Sequence, residues 1–224
     1  MNGRADVGVG SLPNQSMNLP LMKKLPFLTL GIGSVALLLA ASPSWSTALE
    51  LNRSALAQGE FWRLVTGHLT HFTTDHLRWD LAVFVALGVL VELRNRRHFL
   101  VGVVGGSLLI SLGVWWLQPQ FACYRGLSGI DCILFGYLAV DIIDLARAEG
   151  RHWPALAAGL ALVGLVGKII FELSTGRTLF VENNTGFAPV PLAHLIGAIV
   201  GGGCASECTL ARCVKNNAIL TVEA

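Results

Sequence analysis

Long apolar runs separated by short polar stretches make up most of the chain after residue 24. Six runs are long enough to predict helices, and they lie at about residues 25–41, 76–93, 99–117, 128–143, 154–173 and 192–204. Several are shorter than the ~20 residues of a typical membrane span, as expected where a bundle thins the bilayer or opens a cavity. The pattern predicts an all-α polytopic membrane protein, built as a bundle of six transmembrane helices.

Polar segments mark the boundaries of this predicted bundle. Residues 1–22 are rich in Gly, Asn, Ser and Pro and predict a disordered cytoplasmic tail. Residues 23–207 are expected to form one membrane domain with a loop at residues 46–70, and residues 208–224 a cytoplasmic C-terminal tail. The first apolar run also has features of a signal peptide, but the later membrane segments favour a retained first helix.

Composition supports the assignment to the membrane. Of the 224 residues, 53% are hydrophobic and 13% are charged, whereas soluble domains carry roughly 25% charged residues. The net charge of +2 is not concentrated in a basic cluster, so nucleic acid is not an expected partner. The five cysteines lack the spacing of a disulfide scaffold, which favours small packing residues over a metal site.

Basic residues predict the orientation of the six helices. If both termini lie on one side, that side carries ten Lys and Arg residues, and the loops of the other side carry four. The two sets are Arg4, Lys23, Lys24, Arg94, Arg96, Arg97, Arg147, Arg151, Arg212 and Lys215, against Arg53, Arg63, Arg125 and Arg177. The positive-inside rule then predicts cytoplasmic termini, with the fourth and sixth helices starting at the outer face.

Two glycine-rich segments carry the candidate chemistry. Ser128 starts the fourth predicted helix between Gly126 and Gly129, which are candidate substrate-binding positions because they let another backbone come close. His194 stands near the start of the sixth predicted helix, at the same expected depth. Serine and histidine are the minimum for nucleophilic acyl chemistry. Either residue alone is better explained as a packing residue, whereas the pair favours catalysis.

These segments resemble the serine and histidine motifs of the rhomboid intramembrane serine proteases. The motif G-x-S-G stands at residues 126–129, and A-H-x2-G-x3-G at residues 193–201. The family's W-R and H-x4-H-x3-N block reads as residues 62–63 and 71–80, with Asp80 where the family usually has asparagine. The resemblance spans about residues 58–203.

The resemblance implies a role for each matching residue. Ser128 is the nucleophile and His194 its general base, in a dyad with no acidic third member near either motif. His76 and the backbone N–H of Ser128 form the oxyanion hole. Asp80 either joins them as a neutral, donating carboxyl or is an ionised partner of Arg78, His76 or a water. No cofactor is implied, and the spacing H-x2-H-x4-H-x3-D matches no standard metal site.

A finer resemblance concerns the fifth predicted helix. Lys168 and Glu172 are four residues apart, so they share a helix face and are expected to pair. Together with residues 186–194 they resemble the rhombosortase branch of the family. That branch implies a substrate with a C-terminal sorting tail made of a glycine-rich motif, an apolar helix and basic residues.

The predicted function is proteolysis of single-pass membrane proteins near the outer face of a bacterial inner membrane. Two other classes of function stay open. Asp80 is also compatible with a catalytically inactive rhomboid-like binding protein, as is Cys132, which stands where many rhomboids carry an aromatic residue. Charges predicted inside the helices, at Asp131, Lys168 and Glu172, are compatible with a small transporter, although the chain shows no internal repeat.

Overall fold

The structure, a computed structural model, describes residues 25–179 and 188–222 and is mostly helical. The predicted tail at residues 1–22 lies outside the described residues, as does part of the segment before the last helix. The elements in chain order are α1 (Phe27–Ala40), α2 (Pro43–Leu49), β1 (Leu51–Asn52), α3 (Arg53–Ala57), α4 (Arg63–Thr66), a 3₁₀ turn (Gly67–Leu69), α5 (Thr74–Arg94), α6 (Arg96–Leu117), β2 (Cys123–Tyr124), α7 (Ser128–Ala148), α8 (His152–Thr175) and α9 (Pro191–Val222).

The long helices in the described ranges, α1 and α5 to α9, correspond in position to the six predicted segments. Two predicted boundaries were wrong. Residues 46–70 are not a loop, because they carry most of α2 together with β1, α3 and α4, and β1 pairs antiparallel with β2. In addition, α9 continues to Val222 instead of ending near Cys204. Residues 204–222 contain neither Gly nor Pro, so no strong helix breaker interrupts them.

Two helices in the described part of the chain, α6 and α8, are long and apolar enough to cross a membrane. A third span results if α1 and α2, which are bent by 117° at their break, cross as one unit. The helices α5 and α7 are of similar length but carry buried ionisable side chains, which lower their apolar character: Asp80, Glu92, Asp131 and Asp141. The count of six transmembrane helices therefore stays a prediction.

α7 lies at the centre of the bundle, where it contacts α5, α6, α8 and α9. Its side chains Ile130 and Ile133 are almost completely buried. α8 differs, because its buried residues are Ala158, Ile169 and Glu172, while most of its other apolar side chains are exposed. Such an outer helix is expected to face lipid. Glu172 is therefore an ionisable group on the inner side of a helix that otherwise exposes apolar surface.

Arg53 fixes the segment that leads into α7. Its guanidinium donates to the carbonyl oxygens of Trp115 (2.7 Å), Phe121 (2.8 Å) and Gln118 (2.9 Å), at the end of α6 and just beyond it. Arginine can serve several carbonyls at once because its planar fork carries five N–H donors. Together with the pairing of β1 and β2, these bonds attach the entry to α7 to the first part of the chain.

The buried side chain of His68 contacts both α6 and Tyr124, which precedes α7. Its Nε2 atom lies 3.0 Å from the hydroxyl oxygen of Ser111 and 3.1 Å from the carbonyl oxygen of Ser107. Its ring meets the ring of Tyr124 edge-on, with the centroids 5.2 Å apart. Burial lowers the pKa of His68 to about 4, because a charged imidazolium would lose its hydration there. His68 is therefore neutral at pH 7.

Candidate active site

The amino ends of α7 and α9 meet at the candidate site. Ser128 is the first residue of α7, and His194 lies in the first turn of α9. The Oγ atom of Ser128 and the Nε2 atom of His194 are 3.0 Å apart, which is hydrogen-bonding distance. The fold thus brings together the two residues that the motifs singled out, although they are 66 positions apart in the chain. Their catalytic roles stay a prediction at this point.

Glycines allow α7 and α9 to approach this closely. A Cβ atom at Gly197 would overlap the carbonyl oxygen of Gly129, and one at Gly201 would overlap the carbonyl oxygen of Ile133. On the other helix, a Cβ atom at Gly136 would lie 2.7 Å from the carbonyl oxygen of Ala198. Small residues at a helix interface permit such backbone contact. Glycine thus mediates the contact between the helices that carry Ser128 and His194.

An acidic side chain of α8 lies behind the histidine. The Oε2 atom of Glu172 is 2.7 Å from Nδ1 of His194, the ring nitrogen that faces away from Ser128. Lys168, one turn earlier in α8, donates to the Oε1 atom of Glu172 at 2.6 Å. This confirms the predicted pairing of Lys168 with Glu172. The sequence shows no acidic residue near either motif, but the fold places the carboxylate of Glu172 beside His194.

The sequence contains a weak signal for this contact. A carboxylate in the last turn of an apolar helix is unfavourable for two reasons. It is removed from water, and it lies at the negative end of the helix dipole. It therefore requires partners. In the sequence, Lys168 at the preceding turn accounts for one partner, and the partner of the second carboxylate oxygen is left open. Its partner, His194, is 22 positions away, and only the packing of the end of α8 against the start of α9 brings the two together.

The amino end of α5 contributes a third group of side chains. Thr73 caps this helix, because its hydroxyl oxygen accepts the backbone N–H of His76 at 3.1 Å. One turn later, the Oδ2 atom of Asp80 accepts the backbone N–H of Ser128 at 3.2 Å. The same oxygen is 3.2 Å from Nε2 of His76 and 3.3 Å from Nε2 of His71. Groups from three segments therefore converge on one carboxylate oxygen.

This convergence bears on the two interpretations of Asp80. As an acceptor from Ser128 and a neighbour of two histidines, the carboxyl matches the interpretation of Asp80 as a hydrogen-bond acceptor paired with His76. Two of the three groups around its oxygen, His76 and the backbone N–H of Ser128, are those that the resemblance assigns to the oxyanion hole. The part that Asp80 itself takes in oxyanion stabilisation stays a prediction.

Gly126 turns the chain into α7 and leaves room for the groups of α5. Its φ of +125° is a conformation that residues with a Cβ rarely adopt. A Cβ atom there would lie 2.8 Å from Nε2 of His76 and 3.1 Å from Oδ2 of Asp80. A Cβ atom at Gly129 would instead meet Ile110 of α6 at 3.0 Å. The proposed contact of both glycines with substrate stays a prediction.

A cavity of about 770 Å³ opens onto these groups. Side chains of α5, α7 and α8 line it, and the candidate residues reach its wall: His76, Asp80, Ser128 and His194. Tyr124 also lines it, and burial raises the pKa of its phenol above the usual range, so the group is uncharged at pH 7. Among the described residues, no three His, Cys, Asp or Glu side chains are arranged to hold a metal ion.

Comparison with known proteins decides the family. The family model for the Rhomboid domain matches residues 58–207, more than half of the chain. This chain belongs to the rhomboid family. A curated relative, the putative rhomboid protease YdcA of Bacillus subtilis (strain 168), is 25% identical over 138 residues, which cover 61% of this chain and 69% of that protein.

Membership in the rhomboid family supports a protease that is an integral membrane protein and acts on transmembrane substrates within the bilayer. The matched region contains the whole candidate site, including Glu172. Tyr137 lies deeper in α7, where its hydroxyl is 3.2 Å from Nδ1 of His98. It therefore does not substitute for the aromatic residue expected at the position of Cys132. Neither match reaches the rhombosortase branch, so that assignment stays a prediction.

Proposed function

We propose that this rhomboid is an intramembrane serine endopeptidase in which Ser128 is the nucleophile and His194 the general base. The observation that carries the proposal is the 3.0 Å separation of Oγ and Nε2 at the wall of the cavity. Nε2 takes the hydroxyl proton as Oγ attacks the scissile carbonyl carbon, and it returns that proton to the leaving amine. Water, deprotonated by the same histidine, then hydrolyses the acyl ester.

The attack produces a negatively charged oxygen that the site is proposed to stabilise. The proposed donors are the backbone N–H of Ser128 and the Nε2–H of His76, both 3.2 Å from Oδ2 of Asp80. Three helices, α5, α7 and α9, begin beside this point, and the positive end of each helix dipole favours an anion. In this proposal the carboxyl of Asp80 either moves aside for the oxyanion or donates its own proton to it.

The proposed substrates are single-pass membrane proteins that are cut near the outer face of the membrane. A substrate helix must unwind first, because its carbonyl groups are otherwise engaged in helical hydrogen bonds. The positive-inside count supports an outward-facing site with both termini in the cytoplasm. The likeness of Lys168-x3-Glu172 to the rhombosortase branch narrows the proposal to proteins with a glycine-rich C-terminal sorting tail.

Alanine substitutions at the two proposed catalytic residues test the function. Ser128→Ala and His194→Ala should each abolish cleavage of a single-pass membrane reporter, and by similar factors, because members of a catalytic unit act together. A fluorophosphonate probe, which reacts with activated serines, should label the wild type but not Ser128→Ala.

Ser174→Ala, at an exposed serine of α8, is the matched control and should cleave and label like the wild type. Cleavage retained in Ser128→Ala would refute serine catalysis. A wild-type protein that neither cleaves nor labels would favour the inactive binding protein instead.

A further inference from the structure

We propose that Glu172 is a positioning residue that holds His194 in the tautomer and orientation required to take the proton of Ser128. The inference rests on the proposed protease function. It extends the serine–histidine pair to a row of three side chains contributed by α7, α9 and α8, of which His194 and Glu172 are buried.

The two ring nitrogens of His194 have different partners. Nδ1 is 2.7 Å from Oε2 of Glu172, and Nε2 is 3.0 Å from Oγ of Ser128. An ionised carboxylate can only accept hydrogen bonds, so the proton of the neutral imidazole belongs on Nδ1. Nε2 then keeps its lone pair, which is the form that can accept the hydroxyl proton. Glu172 thus selects the reactive tautomer.

Lys168 does not contradict this assignment. Its Nζ atom is 2.6 Å from Oε1 of Glu172 but 3.3 Å from Nδ1 of His194. An ammonium group can only donate, so a bond to Nδ1 would place the ring proton on Nε2, where His194 could not act as a base. The shorter contacts favour an arrangement in which Lys168 and His194 share the carboxylate, with one partner on each oxygen.

The burial of Glu172 indicates a role beyond its ion pair with Lys168. Its side chain is 2% exposed, and burying a carboxylate is unfavourable unless several donors satisfy it. Glu92 provides a comparison within the same protein, because it is also buried and also pairs with a cation four positions away, Arg96. The carboxylate of Glu92 accepts the backbone N–H and the hydroxyl of Thr29, so it joins α5 to α1. The corresponding extra partner of Glu172 is the histidine that contacts the proposed nucleophile.

The charge of Glu172 would matter most when His194 becomes an imidazolium during attack. The ionisable groups in contact with Nδ1 of His194 are Glu172 and Lys168 from α8. The other ionisable groups that line the same cavity are Asp131 and Cys132 of α7, His76 and Asp80 of α5, and Cys123, Tyr124 and Arg125 before α7. Of these, Glu172 is the one within 2.7 Å of the ring. Its negative charge should stabilise the imidazolium, and the positive charge of Lys168 should oppose it.

Kinetics of three matched variants of the full chain in detergent test this role. Glu172→Gln is nearly isosteric and should lower kcat on the order of 10- to 1000-fold with little change in KM, because the loss affects the transition state. It should also move the acid limb of the pH–rate profile to lower pH. Lys168→Gln should move that limb to higher pH. Glu92→Gln should lower thermal stability and leave the limb in place.

The outcomes separate this inference from the proposed function. If Ser128→Ala cleaves like the wild type, the protease proposal itself fails. If cleavage depends on Ser128 but the acid limb stays in place in Glu172→Gln, Glu172 is a structural partner of Lys168 and the positioning role is overturned. If Glu172→Gln does not accumulate as folded protein, Glu172→Asp decides, because it keeps the charge of the carboxylate but withdraws it from Nδ1 of His194. A shift of the acid limb to lower pH in this variant supports the role, and an unmoved limb overturns it.

Discussion

Replacing Gly197 by alanine tests whether the close contact of α7 and α9 sets the geometry of the proposed catalytic pair. The added Cβ atom would overlap the carbonyl oxygen of Gly129 and lie 3.1 Å from Cβ of Cys132. Both neighbours belong to the central helix α7 and immediately follow Ser128 or lie one turn beyond it. They cannot rotate away as the end of a flexible side chain would, so α9 must shift.

The size of the shift can be estimated from these overlaps. To restore ordinary contact distances, the two helices must separate by roughly 1 Å near Gly197, and a displacement of that size at a catalytic group can cost about 100-fold in rate. His194 lies one turn before Gly197, so its Nε2 would move from 3.0 Å to beyond hydrogen-bonding distance of Oγ. Overpacking of this kind also lowers the free energy of unfolding by about 1–3 kcal/mol.

The assay compares Gly197→Ala with Gly203→Ala on the same helix. A Cβ atom at Gly203 would have no atom within 4 Å, so this variant carries the same change without the overlap. Because alanine is the better helix former by about 1 kcal/mol, Gly203→Ala should be as stable as the wild type or more stable. The rate of fluorophosphonate labelling and the thermal midpoint in detergent are measured for both. Labelling of Gly197→Ala at the wild-type rate would show that the helix contact does not set the site geometry.

Two further predictions concern Asp80 and His68. Asp80→Asn should keep most activity, because the amide retains an accepting oxygen for the N–H of Ser128 and adds a donor, whereas Asp80→Ala should lower kcat on the order of ten- to a thousandfold. Equal losses in the two variants would argue against a role of Asp80 at the oxyanion. Folding lowers the pKa of His68 from 6.5 to about 4. Between pH 6.5 and pH 4, His68 is therefore protonated in the unfolded chain but neutral in the folded chain. Stability should be unaffected by this group above pH 6.5 and fall by about 3 kcal/mol as pH drops to 4. Thermal melts of His68→Gln across this range should lack that part of the slope, and an unchanged slope would contradict the assignment.

Local patterns in the sequence were sufficient for the long helices and for the two central candidate residues. An apolar run predicts a buried or lipid-facing helix wherever it lies, because helical hydrogen bonds join residues four positions apart. Ser128 and His194 are likewise marked by a local pattern, because Ser128 lies between two glycines and His194 is followed by glycines at positions 197 and 201.

Only the tertiary structure decided how the remaining groups are arranged around that pair. The partner of the second oxygen of Glu172 is 22 positions away on another helix, and the oxygen of Asp80 meets a backbone N–H 48 positions away. The ribbon of β1 and β2 and the carbonyl contacts of Arg53 join segments that are still farther apart. Such contacts leave no periodic signal in the sequence. They depend on where the helices cross and on which of several possible partners then lies within hydrogen-bonding distance of a buried polar atom. The sequence therefore determined which side chains needed partners, and the packing of the helices determined which partners they found.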